Sequence, residues 1–294
     1  MSNYLIQSAT LDNIANAVNN ITGESGALSP AQMASKLSAI EEWAGDIYIP
    51  PAPPWATGNI ADIKACLDAY QAGKEVDFSA WNIGDVRSFD GFEVRLVHKF
   101  TDTDIMPART DAQGDGTAAP NKHPYTIGTT DKLPAYAVMV TVQTGNSKWS
   151  SGSFDAQKYF NSVLDSTLTT QYNSLNNDLK SILKQFQCYV LNEGGSGGRT
   201  GYYQQLRYLS APACKEVDIT NALGNEGNYQ ITFDYFKTDA TNRRQIPGSS
   251  YWWLRSPGDT NGPGLTRAYY VYQNGSAGAM GVDTALGTVW FGCI

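Results

Sequence analysis

Two histidines, His98 and His123, are all the imidazole this chain has for acid–base or metal chemistry. His98 continues the apolar face of a strand-like run and His123 precedes a proline in a loop-like one, so structural roles are expected for both. Cys66, Cys188, Cys214 and Cys293 lie far apart with no CxxC pair, which gives neither a zinc site nor a disulfide framework and points to buried free thiols. Carboxylate neighbours such as Asp102 with Asp104, or Glu41 with Glu42, carry no burial signal of the kind a glycosidase pair needs. The run Glu193–Arg199 is rich in glycine but lacks the Gly-Lys-Ser/Thr ending of a phosphate loop. Asp111, Gln113, Asp115 and Gly116 begin like a calcium loop, yet Lys122 occupies the twelfth position, where a bidentate glutamate belongs. No catalytic residue, cofactor or metal is expected.

Binding chemistry is better represented. Asp259, Asn261, Arg267, Tyr270, Tyr272, Gln273, Asn274 and Asp283 supply rigid aromatic area and adaptable hydrogen bonds, the mixture used by antibody loops, and tyrosine suits stacking on sugar faces. The competing expectation is that the tyrosines on alternate faces fill the core. The segment that must position this set is Tyr251–Gly258. Trp252 and Trp253 are adjacent, so a strand plants one indole on each face, and Arg255 is expected at the edge of the core, bridging carbonyls or a carboxylate.

The 294 residues are 41% hydrophobic and only 17% charged, with a net charge of −7 and no basic run. That balance argues against nucleic acid as a partner, because neutralising phosphates needs clustered Lys and Arg. No apolar run reaches the ~20 residues of a membrane span, and no basic and apolar leader opens the chain. The expectation is a soluble protein made in the cytoplasm that reaches the outside by assembly into a particle.

Apolar spacing predicts two short helices in residues 1–44, the second opened by Ser29-Pro30-Ala31-Gln32 as cap, first-turn proline and capping-box glutamine. Pro50, Pro51, Pro53 and Pro54 predict an extended spacer over 45–60. Beyond it the patterns predict a helix near Ile60–Tyr70, strands at Phe92–His98 and Ala135–Gln143, and a helical region over 153–187 with a break near Thr169–Asn173. Further strands are expected at Tyr229–Phe236, Tyr251–Leu254, Thr266–Tyr272 and Thr288–Ile294, with an Asn274-Gly275 hairpin turn.

Two stretches resemble known elements. Thr10–Ala17, Thr22-Gly23 and Leu28–Ala34 resemble a short helical element near the start of many tail and other virion proteins of phages that infect Gram-positive bacteria. Ile83-Gly84-Asp85 before Gly91-Phe92, Trp149–Gly152, Arg207–Pro212 before Glu216-Val217, and above all Trp252–Gly258, with Tyr270-Val271 and Gly275, resemble a domain of uncharacterised function found in phage tail proteins and cell-surface proteins of gut Firmicutes. That family is similar to C-type-lectin-like and formylglycine-generating-enzyme-like folds. Where it usually ends Gly-Val-Arg-Pro-Ala, this chain has Gly287-Thr288-Val289-Trp290-Phe291.

The resemblance implies an α+β chain: a helical attachment and oligomerisation element at 1–44, a linker at 45–60, and at 61–294 a C-type-lectin-like domain with antiparallel strands and one or two main helices. It implies a virion structural protein, not an enzyme, whose C-terminal domain binds a host-surface glycan or protein and whose first residues contact other virion proteins, with a homotrimer as the first oligomer to expect. The alternative is a purely architectural decoration or baseplate protein.

Overall fold

The computed structural model describes residues 29, 32, 49–89, 91–105, 123, 125–151, 159–194, 198–219, 231–258 and 267–294. The chain forms two compact units, 1–50 and 51–294. In the first, Ser29 and Gln32 make the expected capping box: the Ser29 N–H donates to Gln32 Oε1 at 2.9 Å and the Gln32 N–H to Ser29 Oγ at 3.3 Å. The rest of the two helices expected in residues 1–44 lies outside the described residues.

The second unit takes up the chain at Pro51, inside the stretch expected to be a spacer. Ala52 and Trp55 are buried in its core, the Ala52 N–H donates to the Asp77 carbonyl at 2.8 Å, and Trp81 Nε1 donates to the Pro53 carbonyl at 2.7 Å. The Thr57 and Gly58 N–H groups both donate to the Pro54 carbonyl, at 3.3 and 2.8 Å, so the chain turns there and enters the fold instead of spanning a gap.

Helix α1 (Ile60–Gln71) is capped by Asn59 and buries Ile63, Cys66 and Leu67 at helical spacing. Strands β1 (Val86–Phe89), β2 (Phe92–Lys99) and β3 (Tyr136–Val140) pair antiparallel in sequence, with all five residues of β3 buried. Next come β4 (Asn146–Lys148), a 3-10 turn at Tyr159–Asn161, α2 (Val163–Ser174) and α3 (Asn177–Ile182). The hairpin β5 (Phe186–Gly194) and β6 (Gly198–Arg207) brackets the glycine-rich run. A 3-10 turn at Asp234–Phe236, the single turn α4 (Ala240–Arg243), β7 (Tyr251–Pro257), β8 (Arg267–Tyr272), β9 (Ala277–Gly281), β10 (Ala285–Gly287) and β11 (Phe291–Cys293) complete the unit.

The strands form a four-stranded antiparallel sheet, β1-β2-β3-β11, a five-stranded sheet, β4-β10-β7-β8-β9, in which β10 and β7 run parallel, and the two-stranded β5-β6. The unit is α+β, with more sheet than helix. Ile294 is fully buried, its carbonyl accepting from the Ala135 N–H at 2.7 Å. All four cysteines are buried thiols, none in a disulfide.

Two expected elements differ. The helical region breaks after Ser174 rather than near Thr169–Asn173, because Ser166, Thr167, Thr169 and Thr170 bond back to carbonyls four residues earlier and sit comfortably in α2. Asn176 then starts α3 as a new cap. Of the strand expected at Tyr229–Phe236, residues 231–236 contain the 3-10 turn instead, because Asp234 is held by His98, by the Lys99 N–H and by Lys237. The loop considered for calcium lies outside the described residues.

His98, on β2, is buried between two carboxylates: Nε2 is 3.2 Å from Asp104 Oδ2 and Nδ1 is 2.9 Å from Asp234 Oδ2. The carboxylate contact, shorter than the 3.3 Å approach of the Asp234 N–H, decides the role of Nδ1. Only an imidazolium donates on both sides. Burial pulls its pKa down, but Asp104 and Asp234 outweigh burial and raise it, with Glu216 adding a weaker field; both aspartates are held below the usual range in return. The imidazolium therefore contributes stability that is complete below about pH 6.5 and is lost as pH rises through the raised value, while the aspartates' share is lost below about pH 4. The thermal midpoint of wild type minus that of His98→Asn is expected to be largest between about pH 4 and 6.5 and to narrow toward pH 9. A difference that stays flat from about pH 5 to 9 rules out a charged His98.

Candidate functional site

Strand β7 is buried continuously from Trp252 to Ser256. The two indoles face opposite ways, Trp252 Nε1 donating to the Arg244 carbonyl at 3.2 Å and Trp253 Nε1 to the Ser147 carbonyl at 2.9 Å. Trp149 Nε1 returns a bond to the Leu254 carbonyl at 2.9 Å. Arg255 is not at the edge of the core, as the sequence suggests, but fully inside it at 0% exposure. The reason is Glu216, equally buried, which meets the guanidinium with both oxygens: Nη1 reaches Oε2 at 2.8 Å and Nη2 reaches Oε1. Nη1 also donates to the Ala211 carbonyl at 2.8 Å and Nη2 to Tyr125 Oη at 3.2 Å, and the cation lies 5.6 Å from the centre of the Phe291 ring. Burial alone would lower the Arg255 pKa; Glu216 more than reverses this and keeps the guanidinium charged.

On this frame sits a face of tyrosines. Trp253 is paired with Tyr270 and Tyr251 with Tyr272 across β7 and β8, and Tyr270 with Gly278 across β8 and β9, so all five share one side of the sheet. The ring centres of Tyr251 and Tyr270 are 5.7 Å apart, those of Tyr251 and Tyr272 5.5 Å, and those of Tyr270 and Tyr272 4.8 Å. A Cβ at Gly278 would stand 2.9 Å from both Tyr270 Oη and Tyr272 Cε2, so the rings lie over β9 only because that position is glycine. The face runs from dry to wet: Trp253 is fully buried, Tyr270 is 3% exposed, Tyr272 is half-buried and Tyr251 is 38% exposed. Burial, then Tyr272 and Tyr251 beside it, push the Tyr270 phenol well above its ordinary value, so it stays a neutral hydroxyl.

The expected binding set is not brought together. Tyr270, Tyr272, Gln273 and Asn274 lie at one end of the β8–β9 hairpin. Arg267, paired with Gly281, and Asp283 lie at the other, about five residues or 17 Å along the strand; both are exposed. Asn274 is engaged in its own turn, where Oδ1 accepts from the Ser276 N–H at 3.0 Å and from Ser276 Oγ at 2.7 Å. The turn is pinned to α4: Arg244 Nε donates to the Gly275 carbonyl at 2.7 Å, and a Cβ at Gly275 (φ +79°) would meet the Thr241 carbonyl oxygen. Gln273 is exposed, and Asp259 and Asn261 lie outside the described residues. Sequence reasoning missed Tyr251 as a member of the face, Gly278 as its floor, and Glu216 as the partner of Arg255. Strand pairing across the Asn274-Gly275 turn carries the signal for Gly278; nothing in spacing points to Glu216, thirty-nine residues away.

Removing one partner of a fully buried ion pair leaves a charge with no compensation, at a cost of about 3–5 kcal/mol. Glu216→Gln is expected to lose stability on that scale in urea unfolding at neutral pH. Unfolding at the wild-type midpoint would remove the pair from any structural role.

Among the described residues no group of three or more His, Cys, Asp and Glu side chains could hold a metal ion. No curated protein and no solved structure matches the chain. The model of the family described as Domain of unknown function (DUF6273) matches residues 135–288, from the residue before β3 to the residue after β10. The match takes in the whole five-stranded sheet, Arg255 and Glu216, leaves out β1, β2 and β11, and covers more than half of the 294 residues, so the chain belongs to the DUF6273 family.

Proposed function

We propose that this chain is a phage virion protein, of a tail fibre, tail tip or head fibre, whose second unit has a C-type-lectin-like fold and binds a host-surface glycan through the Tyr251, Tyr270 and Tyr272 face. Residues 1–44 attach it to other virion proteins and assemble it, as a homotrimer first. It is made in the host cytoplasm and acts outside the cell. The observation that carries the reading is the gradient across the tyrosine face. A sugar ring needs a flat apolar surface that is rigid and still reachable, and three mutually packed phenol rings ending in an exposed Tyr251 supply one. Tyr251 and Ile105 are the two large apolar side chains that stand exposed among the described residues. The resemblance of the first residues to a virion element, the low charge, and the absence among the described residues of any helix long and apolar enough to cross a membrane fit the same reading.

A second reading, a purely architectural virion component, draws support from the burial of Tyr270 and the engagement of Asn274, which remove two members of the expected binding set. Labelled full-length protein, applied to Gram-positive cells and a glycan array, separates the two. Adhesion predicts saturable binding that falls at least about tenfold, or 1.4 kcal/mol, in the Tyr251→Ala/Tyr272→Ala variant with an unchanged near-ultraviolet circular dichroism spectrum. No binding on any host favours architecture, and release of sugar from cell walls would replace both with a hydrolase.

A further inference from the structure

A cavity of about 270 Å3 opens between Gly91 and Phe92, residues 142–144, the last turn of α2 and Trp290. Its aromatic wall is the edge-to-face pair of Phe92 and Trp290, with ring centres 5.9 Å apart. Its polar wall is held in place before any ligand arrives: Gln171 Nε2 donates to Thr288 Oγ1 at 2.9 Å and to the Thr144 carbonyl at 3.3 Å, while Thr144 Oγ1 donates to Gln171 Oε1 at 2.9 Å. Gln143 donates both amide protons, to the Gly145 carbonyl at 2.9 Å and Asn146 Oδ1 at 2.7 Å, which leaves Oε1 without a donor.

Trp290 is the telling residue. Trp55, Trp81, Trp149, Trp252 and Trp253 each donate their indole N–H to a backbone carbonyl. Trp290, with no exposed surface, has no acceptor for its own. Leaving a buried donor unpaired is unfavourable, a penalty that a ligand oxygen or a bound water reaching it would relieve.

We infer that this cavity is a binding site for one neutral saccharide unit, a hexose or N-acetylhexosamine. The volume, about 270 Å3, falls just below the roughly 300–1,000 Å3 typical of drug-sized ligand pockets, as suits a single sugar ring. Among the described residues no charged side chain lines it, and an ion drawn against them would lose solvation without a partner there. The aromatic wall and the Gln143 Oε1 acceptor match a ring with one apolar face and several hydroxyl or acetamido groups. The site stands whether or not the chain is a virion protein. It adjoins the tyrosine face: Gln143 Oε1 and the Tyr251 carbonyl oxygen each lie 2.7 Å from where a Cβ of Gly287 would be, and so at most twice that distance from each other. A longer glycan seated in the cavity can continue onto Tyr251.

The test is a titration of the full chain, with 15N-labelled tryptophan, by glucose, galactose, N-acetylglucosamine and N-acetylgalactosamine, with sodium acetate as the charged control. The indole resonance of Trp290, assigned from Trp290→Phe, is expected to shift saturably with at least one sugar and not with acetate. Leu175→Trp, which fills the cavity, and Gln143→Ala, which removes the free acceptor, are each expected to weaken binding at least tenfold. Because the readout is the Trp290 indole, a sugar that binds only the tyrosine face leaves it unmoved, which keeps this result separate from the success or failure of that face. An indole resonance unmoved by every sugar, or moved only by acetate, overturns the inference, as does wild-type affinity in both cavity variants.

Discussion

A guanidinium and a carboxylate, both without any contact with water, sit at the centre of this fold. Arg255 and Glu216 are each 0% exposed and meet through two hydrogen bonds. Such a pair adds little net stability over apolar residues of the same volume, because desolvation cancels most of the attraction, but it tolerates almost no misplacement. Every neighbour is fixed by it in turn. Glu216 Oε2 also accepts the Ala213 N–H at 2.7 Å, the Arg255 N–H donates to the Pro212 carbonyl at 2.9 Å, and the Cys214 N–H donates to Ser256 Oγ at 2.9 Å. The segment 211–216 is thereby stitched to β7, and Ser210 exchanges two backbone bonds with Phe291 of β11. The pair is where the five-stranded sheet and the four-stranded sheet are tied to one short segment.

That tie explains the division of labour across the second sheet. Strand β7 carries its heaviest side chains inward and is locked along its length, so the tyrosines of β7 and β8 meet the outside from a fixed base. A face of this kind loses little conformational freedom when something stacks on it, which is what gives rigid aromatic surfaces their advantage in recognition. The hairpin tip takes no part in that face: its Asn274 and Gly275 are occupied in holding the turn against α4.

The sequence made much of this legible. Adjacent tryptophans on a strand announced a core that packs on both faces, alternation placed Tyr270 and Tyr272 together, and Asn274-Gly275 located the hairpin. The capping pair of Ser29 and Gln32 was readable because it is local and reciprocal. What stayed hidden depends on contacts far apart in sequence. Nothing near Arg255 marks Glu216 as its partner, and nothing near His98 marks Asp234, 136 residues on, whose pull on the histidine turns an expected strand into a 3-10 turn. Tyr251 reads as another core aromatic until the register sets it beside Tyr272 at the rim. The proline run misleads for a related reason, since composition says nothing of what lies underneath.

Native-state hydrogen exchange reads the central claim most directly. If the ion pair ties the two sheets into one cooperative unit, the amides of Ser210, Cys214, Arg255 and Phe291 exchange only through global unfolding, and all four report the free energy measured by denaturation. Exchange of any of them through a smaller, local opening while the strands around it stay protected would contradict the account.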